Sequence, residues 1–362
     1  MELSVILPCQ NEEATLGSCL RQIKEVFILN NIVGEIIVSD SSSDRSPEIA
    51  KEEGVVLVKH DQNGYGRAYL EAFPLVHGRY IFMADADGTY DFKEIPNFLN
   101  ALKDGYDLVI GNRFCGRMEK SAMGFLRRYI GNPILSWILK FLYKIEVQDA
   151  HSGMRALDSQ ILPRLRLRTT GMEFASEMIM ATSREGLRVK NLNIDYYRRG
   201  GKSKLKIFSD GWRHLRFMLA YAPDYLFFAP GVLFFLAGLA LIGLWRTHVV
   251  YGSFLLFLGY NIVGLGVFYK AHLRSTGFIT QDGLIDFLAS KIKFETGLLL
   301  GAILILAPLL IWLKPVFNFF TQFGFFNSDN LIIFSLTLAV LGVQMFFFSF
   351  VISMILVDKK NE

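Results

Sequence analysis

Four long apolar runs without Asp, Glu, Lys or Arg constrain the architecture of this chain more than any other feature. Spanning a bilayer takes roughly 20 consecutive apolar residues. The third run is the shortest and contains Pro308. Buried helices of a soluble protein are the alternative, but four such runs in succession argue against it. We therefore predict an all-α transmembrane domain over residues 225–362, with spans at about 225–245, 251–269, 297–313 and 331–357.

The charges that flank these runs predict their orientation. Basic residues cluster before the first run, between the second and third, and after the fourth: Arg213, Arg216, Lys270, Arg274, Lys291, Lys293, Lys359 and Lys360. Because basic loops stay in the cytoplasm, we expect the N-terminal part, the middle loop and the C-terminus there, with the plasma membrane of a prokaryote favoured over the endoplasmic reticulum. The net charge of +4 is too small to indicate nucleic acid, and membrane lipids are the simpler partner.

The N-terminal part, residues 1–204, alternates strand and helix patterns, which predicts an α/β domain with a mostly parallel sheet. Asn11 is expected to cap a helix running from Glu12 towards Leu29, and Ser46-Pro47-Glu48 has the pattern that starts another helix. The predicted strands are Leu3–Leu7, Glu35–Val38, Val55–Lys59, Tyr80–Ala84 and Leu108–Ile110.

Two carboxylates, Asp85 and Asp87, follow the strand predicted over Tyr80–Ala84. Side chains two apart on an extended chain point to the same side, so both can face one cavity. Magnesium usually takes one or two protein carboxylates together with phosphate oxygens of a substrate. The pattern predicts a metal held against a diphosphate, and a surface turn is the alternative. Ligands of such sheets bind beyond the carboxyl ends of the strands, where Pro8–Glu12, Asp40 and Arg113 also fall.

These motifs together carry a resemblance to a known family. The segments are Ser4–Glu13, Ile36–Asp40, Asp85-Ala86-Asp87, Gly111-Asn112-Arg113 and Ser152-Gly153-Met154-Arg155. In this order they resemble the family 2 glycosyltransferases with a Rossmann-like GT-A fold, and among these the polyprenyl-phosphate or dolichyl-phosphate hexose synthases. The resemblance implies transfer of a hexose from a nucleoside diphosphate sugar to a lipid phosphate, with inversion and with Mg2+ or Mn2+.

The donor sugar is left open by the sequence. Gly171–Glu177 and Asp210–Phe217 resemble a subgroup labelled dolichol-phosphate-glucose synthetases, which favours UDP-glucose or UDP-N-acetylglucosamine. The alternative donor is GDP-mannose. More distant alternatives are a glycolipid flippase and a non-catalytic scaffold that binds nucleotide sugar. A processive polysaccharide synthase is also weighed, but the chain has no Gln-x-x-Arg-Trp motif. A homo-oligomer is compatible with all of these.

The resemblance also implies roles for individual donor-side residues. Pro8, Gln10, Glu12 and Asp40 would line the nucleoside pocket, while Asp85 and Asp87 would meet the metal, ribose and diphosphate. Turn capping is the alternative for Asp40. Relatives often have Gln two residues after the second Asp, where this chain has Thr89, so Asp91 or water would complete the metal site.

Basic residues are expected to stabilise the departing diphosphate and to hold the acceptor. The first set is Arg113, Arg199, Lys202 and Lys204, and the second is Arg127, Arg128 and Asn132. A solvated basic loop and an ordinary amphipathic helix are the respective alternatives. A phosphate monoester is largely dianionic at neutral pH, so no catalytic base is required. Glu173 and Glu177 are expected to orient the basic residues, and Asp149 is expected to be structural. His151 is expected to be either a hydrogen-bonded loop residue or a catalytic one.

Two helices are expected to lie in the membrane interface. The first is a juxtamembrane amphipathic helix within residues 205–224, with Phe208, Trp212, Leu215 and Leu219 at helical spacing. The second covers about residues 284–294, with Leu284, Phe287, Leu288 and Ile292. We predict that these helices turn the acceptor side of the catalytic domain towards the bilayer.

Overall fold

The computed structural model describes residues 1–200, 207–244, 248–276, 283–291, 294–322 and 328–357 of the chain. The chain divides into two units, Met1–Met218 and Leu219–Glu362. The strands, and every candidate site residue within the described ranges, belong to the first unit.

The first unit is built on a seven-stranded sheet with the strand order β3-β2-β1-β4-β6-β5-β7. Only β6 among these strands runs antiparallel to its neighbours, β4 and β5, and the remaining pairs are parallel. The predicted mostly parallel sheet is therefore confirmed. The strands are β1 Leu3–Cys9, β2 Gly34–Asp40, β3 Val56–Lys59, β4 Tyr80–Met83, β5 Leu108–Asn112, β6 Arg155–Asp158 and β7 Val189–Asn193.

Helices of the first unit cover both faces of this sheet, with short 3₁₀ turns at Phe73–Leu75, Phe92–Glu94 and Ser159–Ile161 and a π-helical turn at Arg127–Gly131. The helices are α1 Leu16–Leu29, α2 Ser46–Glu52, α3 Tyr65–Ala72, α4 Ile95–Lys103, α5 Asn132–Tyr143, α6 Leu162–Leu165, α7 Phe174–Arg184 and α8 Ile207–Ala220.

The core of the first unit lies between β1 and the helices packed on it. Leu16, Leu20 and Ile23 recur at helical spacing on α1 and are fully buried against Val5 and Leu7 of β1. Burying each such side chain contributes about 1.5–3 kcal/mol. This packing fixes the carboxyl ends of β1 and β4, from which the polar residues of the site project.

The start of α1 differs from the prediction. The helix begins at Leu16, after Thr15, and not at Glu12. Asn11 has a left-handed backbone (φ 54°), and its side-chain oxygen accepts a hydrogen bond from the backbone N–H of Ser43. Asn11 therefore joins the β1 and β2 loops, and the prediction that it caps α1 was wrong. The helix predicted at Ser46-Pro47-Glu48 is confirmed as α2.

The second unit is helical. After a π-helical turn at Asp224–Phe228, its helices are α9 Ala229–Leu244, α10 Val249–Ser275, α11 Gly283–Lys291, α12 Phe294–Ile311, α13 Lys314–Gln322 and α14 Ser328–Val357. Among the described residues, three helices are long and apolar enough to cross a membrane: Asp224–Leu244, Val249–Ser275 and Ser328–Ile352. A fourth crossing results if Glu295–Ile311 and Val316–Gln322, which meet at a bend of 73°, form one span. Pro308 lies inside α12.

Close packing within the second unit depends on small residues. A Cβ on Gly238 of α9 would lie 2.7 Å from the carbonyl oxygen of Gly252 on α10, so only glycine allows the two backbones to approach this closely. The amide side chain of Gln344 donates to the side-chain oxygen of Asn261 at 3.0 Å, which pairs two polar groups between α14 and α10.

The interface-helix predictions are only partly covered by the described residues. α8 and α11 are both helical, and Trp212 and Phe287 are exposed. The side chains of Phe208 and Leu288, and residues Trp245, Ile292, Lys293, Lys359 and Lys360, lie outside the described part. The interfacial role of both helices stays a prediction.

Candidate active site

Two cavities meet at the carboxyl ends of β1, β4 and β5. The first, the β1 cavity, has a volume of about 310 Å³, and Pro8, Gln10 and Glu12 line it. The second, the β5 cavity, has about 410 Å³, and Arg113 and Arg127 line it. Both cavities share the residues Tyr65, Asp85, Asp87, Met172 and Arg199. The paired carboxylates thus stand where a ligand in one cavity can meet a ligand in the other.

Asp85 is the carboxylate at the junction that the described part of the chain leaves without a hydrogen-bond partner. Gly153 makes room for it, because a Cβ at Gly153 would lie only 2.5 Å from Oδ2 of Asp85. Burial, and then the charge of Asp87, raise the pKa of Asp85 to about 7, while Arg199 and Arg113 act in the opposite direction. A cation placed beside such a carboxylate stabilises its charged form.

Asp87 is held from two sides. Its Oδ1 accepts hydrogen bonds from the backbone N–H (3.1 Å) and the hydroxyl (2.6 Å) of Thr89. Its Oδ2 lies 3.1 Å from Nη1 of Arg199, whose other amino group pairs with Glu12. Thr89 therefore orients the carboxylate, and the Arg199 guanidinium bridges Glu12 and Asp87 across the mouth of the junction.

Asp85 and Asp87 fit a divalent metal that completes its coordination from substrate and water. Hard divalent cations accept one or two carboxylates together with phosphate oxygens. Within the described ranges, no group of three or more His, Cys, Asp or Glu side chains is arranged around a common metal position. Asp91 instead accepts a hydrogen bond from the backbone N–H of Lys93 and caps the 3₁₀ turn at Phe92–Glu94.

Arg113 faces the β5 cavity from the end of β5. Its Nε and Nη2 donate to the two carboxylate oxygens of Asp149 at 2.6 and 2.8 Å, and its guanidinium lies 5.1 Å from the ring centre of Tyr196. Burial lowers the pKa of Arg113, but Asp149 acts together with Tyr90 and Tyr196 in the opposite direction, and the resulting pKa lies well above the ordinary value. Asp149 is thus a positioning residue that keeps a buried cation charged and aimed.

The other predicted acceptor residues are separated by the structure. Of the segment 124–132, Gly124 and Arg127 line the β5 cavity. The Arg128 guanidinium lies 5.2 Å from the ring centre of Tyr129. The amide of Asn132 is 3.6 Å from the sulfur of Met123. Lys202 and Lys204 lie outside the described residues. The structure therefore brings Arg127 together with Arg113, Asp85 and Asp87.

Two of the remaining predicted carboxylates, Asp40 and Glu177, hold loops in place. Asp40 is fully buried and accepts from the hydroxyl (2.5 Å) and backbone N–H (3.2 Å) of Ser42, while the adjacent Ser41 lines the β1 cavity. Glu177 accepts from the backbone N–H groups of Arg168 and Thr169 at 2.9–3.1 Å. The Glu173 carboxylate lies beside Gly171. Through these hydrogen bonds Glu177 holds the loop that borders the β1 cavity.

Several cavity residues were missed by sequence reasoning. Tyr65 and Met172 line both cavities, and Arg213 of α8 lines the β1 cavity. A signal was present for Tyr65, which lies between two glycines. A Cβ on Gly66 would lie 2.2 Å from the carbonyl oxygen of Thr169, so the glycine lets the loop that carries Met172 pack on α3.

His151 also lines the β5 cavity. Its ring packs edge-on against His214 with 4.4 Å between the centres, and Nδ1 of His214 lies 2.9 Å from the Ser176 hydroxyl. Burial, followed by His214, Arg155 and Arg113, lowers the pKa of His151 well below the ordinary value. His151 is consequently neutral at pH 7.

Comparison with known proteins assigns this arrangement to a family. Residues 4–166 match the sequence profile described as glycosyl transferase family 2. Residues 267–356 match the family 2 C-terminal transmembrane region. The low-salt glycan biosynthesis hexosyltransferase Agl6 of Haloferax volcanii is 37% identical, and the alignment covers 97% of this chain and 88% of the relative. The chain belongs to glycosyltransferase family 2.

Further similarities agree with this family membership. A dolichyl-phosphate hexose transferase of Haloferax volcanii is 32% identical over 58% of this chain and 89% of the relative. Among solved structures, glucosyl-3-phosphoglycerate synthase of Mycobacterium tuberculosis superposes with a TM-score of 0.50 at 19% identity, over 61% of this chain and 80% of the other. At this identity the structural likeness supports the fold alone. The expected GT-A fold and C-terminal transmembrane region of this family 2 glycosyltransferase are confirmed.

Proposed function

We propose that this family 2 glycosyltransferase moves a hexose from a nucleoside diphosphate sugar to a polyprenyl or dolichyl phosphate, with inversion at the anomeric carbon. The observation that carries the proposal is the meeting of two cavities at Asp85 and Asp87, one with carboxylates and the other with Arg113 and Arg127. The first chemistry suits a metal-bound diphosphate, and the second suits the phosphate of an acceptor. The names of the Haloferax relatives, a hexosyltransferase and a dolichyl-phosphate hexose transferase, support the same class of reaction.

The donor would occupy the β1 cavity. Asp85 and Asp87 would hold Mg2+ or Mn2+, which when bound neutralises charge on the diphosphate as a Lewis acid. Arg199, which lines both cavities, would contact the diphosphate and stabilise the negative charge that develops on it. We infer UDP-glucose or UDP-N-acetylglucosamine as the donor, with GDP-mannose as the alternative.

The acceptor phosphate would occupy the β5 cavity between Arg113 and Arg127. A phosphate oxygen forms the new bond to C1 of the hexose, while the bond from C1 to the nucleoside diphosphate breaks and its electron pair leaves with that group. No proton moves, because the phosphate monoester is already largely dianionic. Asp149 keeps Arg113 charged and oriented, and the neutral His151 adds no further positive charge to hold back the nucleophile.

The membrane setting follows from the C-terminal region. Basic residues cluster before the first predicted span, between the second and the third, and after the fourth. Because basic connections stay in the cytoplasm, we infer that the catalytic unit and the C-terminus lie on the cytoplasmic side. The plasma membrane of a prokaryote is the proposed location.

A transfer assay tests the proposal. Membranes containing the full chain are incubated with a polyprenyl phosphate, a panel of radiolabelled nucleotide sugars, and Mg2+ or Mn2+. Asp87→Ala is expected to abolish labelled lipid, whereas the control Asp91→Ala, which removes only a turn cap, should retain most activity. Full transfer in excess chelator, or equal losses in the two variants, would contradict the metal assignment.

A second pair of variants tests the acceptor cavity. Arg127→Ala is expected to raise the concentration of lipid phosphate needed for half-maximal rate about tenfold, since a hydrogen bond to a charged group contributes about 1.5–3 kcal/mol. Arg128→Ala, whose guanidinium stacks on Tyr129, should change it much less. Equal effects of Arg127→Ala on donor and acceptor would count against the proposed division of the two cavities.

A further inference from the structure

A second guanidinium, besides that of Arg199, lines the β1 cavity. It belongs to Arg213 of α8, and Arg213 does not line the β5 cavity. Within the described part of the chain, the Arg213 side chain makes no hydrogen bond or ion pair, whereas Arg199 is held by Glu12 and Asp87. The β1 cavity thus has one cation that neighbouring carboxylates already neutralise and another, Arg213, whose charge is left for an anionic ligand.

The helix that carries Arg213 is fixed to the catalytic unit beside this cavity. His214 is 4% exposed and Met218 is fully buried, and the two lie one helical turn apart on the inward face of α8. Nδ1 of His214 lies 2.9 Å from the Ser176 hydroxyl of α7, and the Met218 carbonyl accepts a hydrogen bond of 2.8 Å from the Tyr143 hydroxyl. Arg213 is therefore presented by a helix that is packed against the ends of α5 and α7.

We propose that Arg213 is a donor-binding residue that contacts the phosphate groups of the nucleotide in the β1 cavity, with His214 as the positioning residue that holds α8 in place for it. This inference rests on the proposed function, which puts the donor in the same cavity. The diphosphate is the anionic part of such a donor. A planar guanidinium, with its parallel N–H groups, matches the geometry of phosphate oxygens.

The charges that line the β1 cavity explain the need for a second cation. Glu12, Asp85 and Asp87 line it together with the two arginines. Arg199 and a divalent metal would balance the charge of these three carboxylates and leave none for the diphosphate. Arg213 would then compensate part of the charge of the diphosphate, where a partly enclosed cavity strengthens the attraction relative to water.

The role of His214 follows from its contacts on two sides. Besides its contact with Ser176, its ring packs edge-on against His151, with 4.4 Å between the centres, and His151 lines the β5 cavity. Removal of the His214 ring would leave a void beside His151 and would take this partner from the Ser176 hydroxyl. The part of α8 that carries Arg213 would then lose its seat on α7.

Nucleotide binding to the full chain tests the proposal without turnover. The protein is purified in nanodiscs of phosphatidylcholine, which has no net charge, so that contacts with anionic head groups play no part. UDP and GDP are titrated by calorimetry with Mn2+ present, and the nucleotide that binds the wild type is used throughout. Arg213→Ala should weaken its binding about fivefold, because a contact at an open cavity is partly screened by water. Arg213→Lys should recover part of the loss.

Arg216→Ala is the matched control. It removes the same charge from an exposed position on α8 that lines neither cavity, so the nucleotide affinity should change by less than about twofold. Equal affinities of the wild type and Arg213→Ala would overturn the proposal. Equal losses in Arg213→Ala and Arg216→Ala would also overturn it, because the effect would then come from net charge and not from a contact.

His214 is tested by its dependence on Arg213. His214→Ala should weaken nucleotide binding about threefold when Arg213 is present and much less in the Arg213→Ala background, because residues that act through one another are not additive. His214→Asn, whose amide can replace Nδ1 as the partner of Ser176, should restore most of the affinity. Additive losses in the double variant would refute the positioning role.

The outcome for the proposed function is separate. Wild-type protein that binds a nucleotide through Arg213 but transfers no sugar to a polyprenyl phosphate would refute that function and leave the nucleotide site standing. Wild-type protein that binds neither UDP nor GDP would refute both. In the transfer assay, Arg213→Ala should raise the half-saturating concentration of donor and leave that of the lipid phosphate unchanged.

Discussion

Replacing Arg199 should strengthen metal binding in the absence of nucleotide, although the residue is proposed to assist the reaction. Oδ1 of Asp87 accepts two hydrogen bonds from Thr89, so Oδ2, which lies 3.1 Å from Nη1 of Arg199, is the oxygen that Asp87 would offer to a metal. The side chains of Arg199, Asp87 and Glu12 are 24%, 8% and 9% exposed, so the contacts are largely shielded from water. The Arg199 guanidinium would therefore compete with a metal for this oxygen of Asp87.

The size of the effect follows from the contact that is lost. A hydrogen bond to a charged group contributes about 1.5–3 kcal/mol, and partial exposure favours the lower end of that range. Since 1.4 kcal/mol corresponds to a factor of ten, Arg199→Ala should bind Mn2+ about tenfold more tightly than the wild type. The dissociation constant is measured from the EPR signal of free Mn2+ over purified full-length protein without nucleotide.

The pH of that measurement matters. Arg199 counteracts the rise in the pKa of Asp85, so its removal raises this pKa further above 7 and lets protons compete with Mn2+. The comparison is therefore made at pH 8, and the advantage of the variant should shrink towards pH 6.

Arg117→Ala is the matched control. It removes the same charge from an exposed side chain that lines neither of the two cavities, and the backbone N–H of Arg117 donates to Asp195. Its Mn2+ affinity should change less than twofold. Wild-type or weaker Mn2+ binding by Arg199→Ala at pH 8 would refute the competition.

Three further predictions concern the same junction. Asp149→Asn breaks a buried ion pair and should cost about 3–5 kcal/mol, lowering the Tm by roughly 10 °C; an unchanged Tm would show that Arg113 does not need its partner. Asp85 has a folded-state pKa near 7, above its unfolded value of about 3.9, so its ionisation lowers stability as the pH rises through that window. In chelator, Asp85→Asn should therefore raise the Tm at pH 8 and not at pH 4, and a rise at both would contradict the cause. Gly153→Ala should reduce transfer at least tenfold and weaken Mn2+ binding with the fold retained, because the new Cβ would lie 2.5 Å from Asp85; normal kinetics would show that the carboxylate can move without loss.

Local sequence patterns predicted the sheet and much of the junction. The apolar run before Asp85 marked β4, and strand–helix alternation predicted the parallel order that brings the ends of β1 and β4 together. Pro8, Gln10, Glu12, Asp85 and Asp87 consequently fall in one cavity, as their positions at strand ends indicated. This succeeds because the carboxyl ends of parallel strands share one edge of the sheet.

Contacts between distant segments could not be read in this way. Asp149 lies 36 residues from Arg113, and Arg199 lies 187 residues from Glu12, so no periodicity links them. The failed cap at Asn11 has the same origin. A bond to Ser43 in another loop, 32 residues away, outweighs the local preference of Asn for a helix start. Sequence patterns report on neighbours along the chain, whereas these side chains are oriented by neighbours across the sheet.

The charges at the junction explain why metal and nucleotide should bind as a pair. Among the described residues, the Arg199 guanidinium bridges Glu12 and Asp87, while burial followed by the negative charge of Asp87 raises the pKa of the neighbouring Asp85 to about 7. A divalent cation held by Asp85 and Asp87 would offset this negative charge and would compete with Arg199 for Asp87. A diphosphate would then offer Arg199 a new anionic partner. Each ligand would thus lower the cost of binding the other, which is a positive coupling between two sites. UDP should therefore tighten Mn2+ binding by a larger factor in the wild type than in Arg199→Ala. Only the wild type retains the Arg199 side chain, which would exchange its contact with Asp87 for one with the diphosphate.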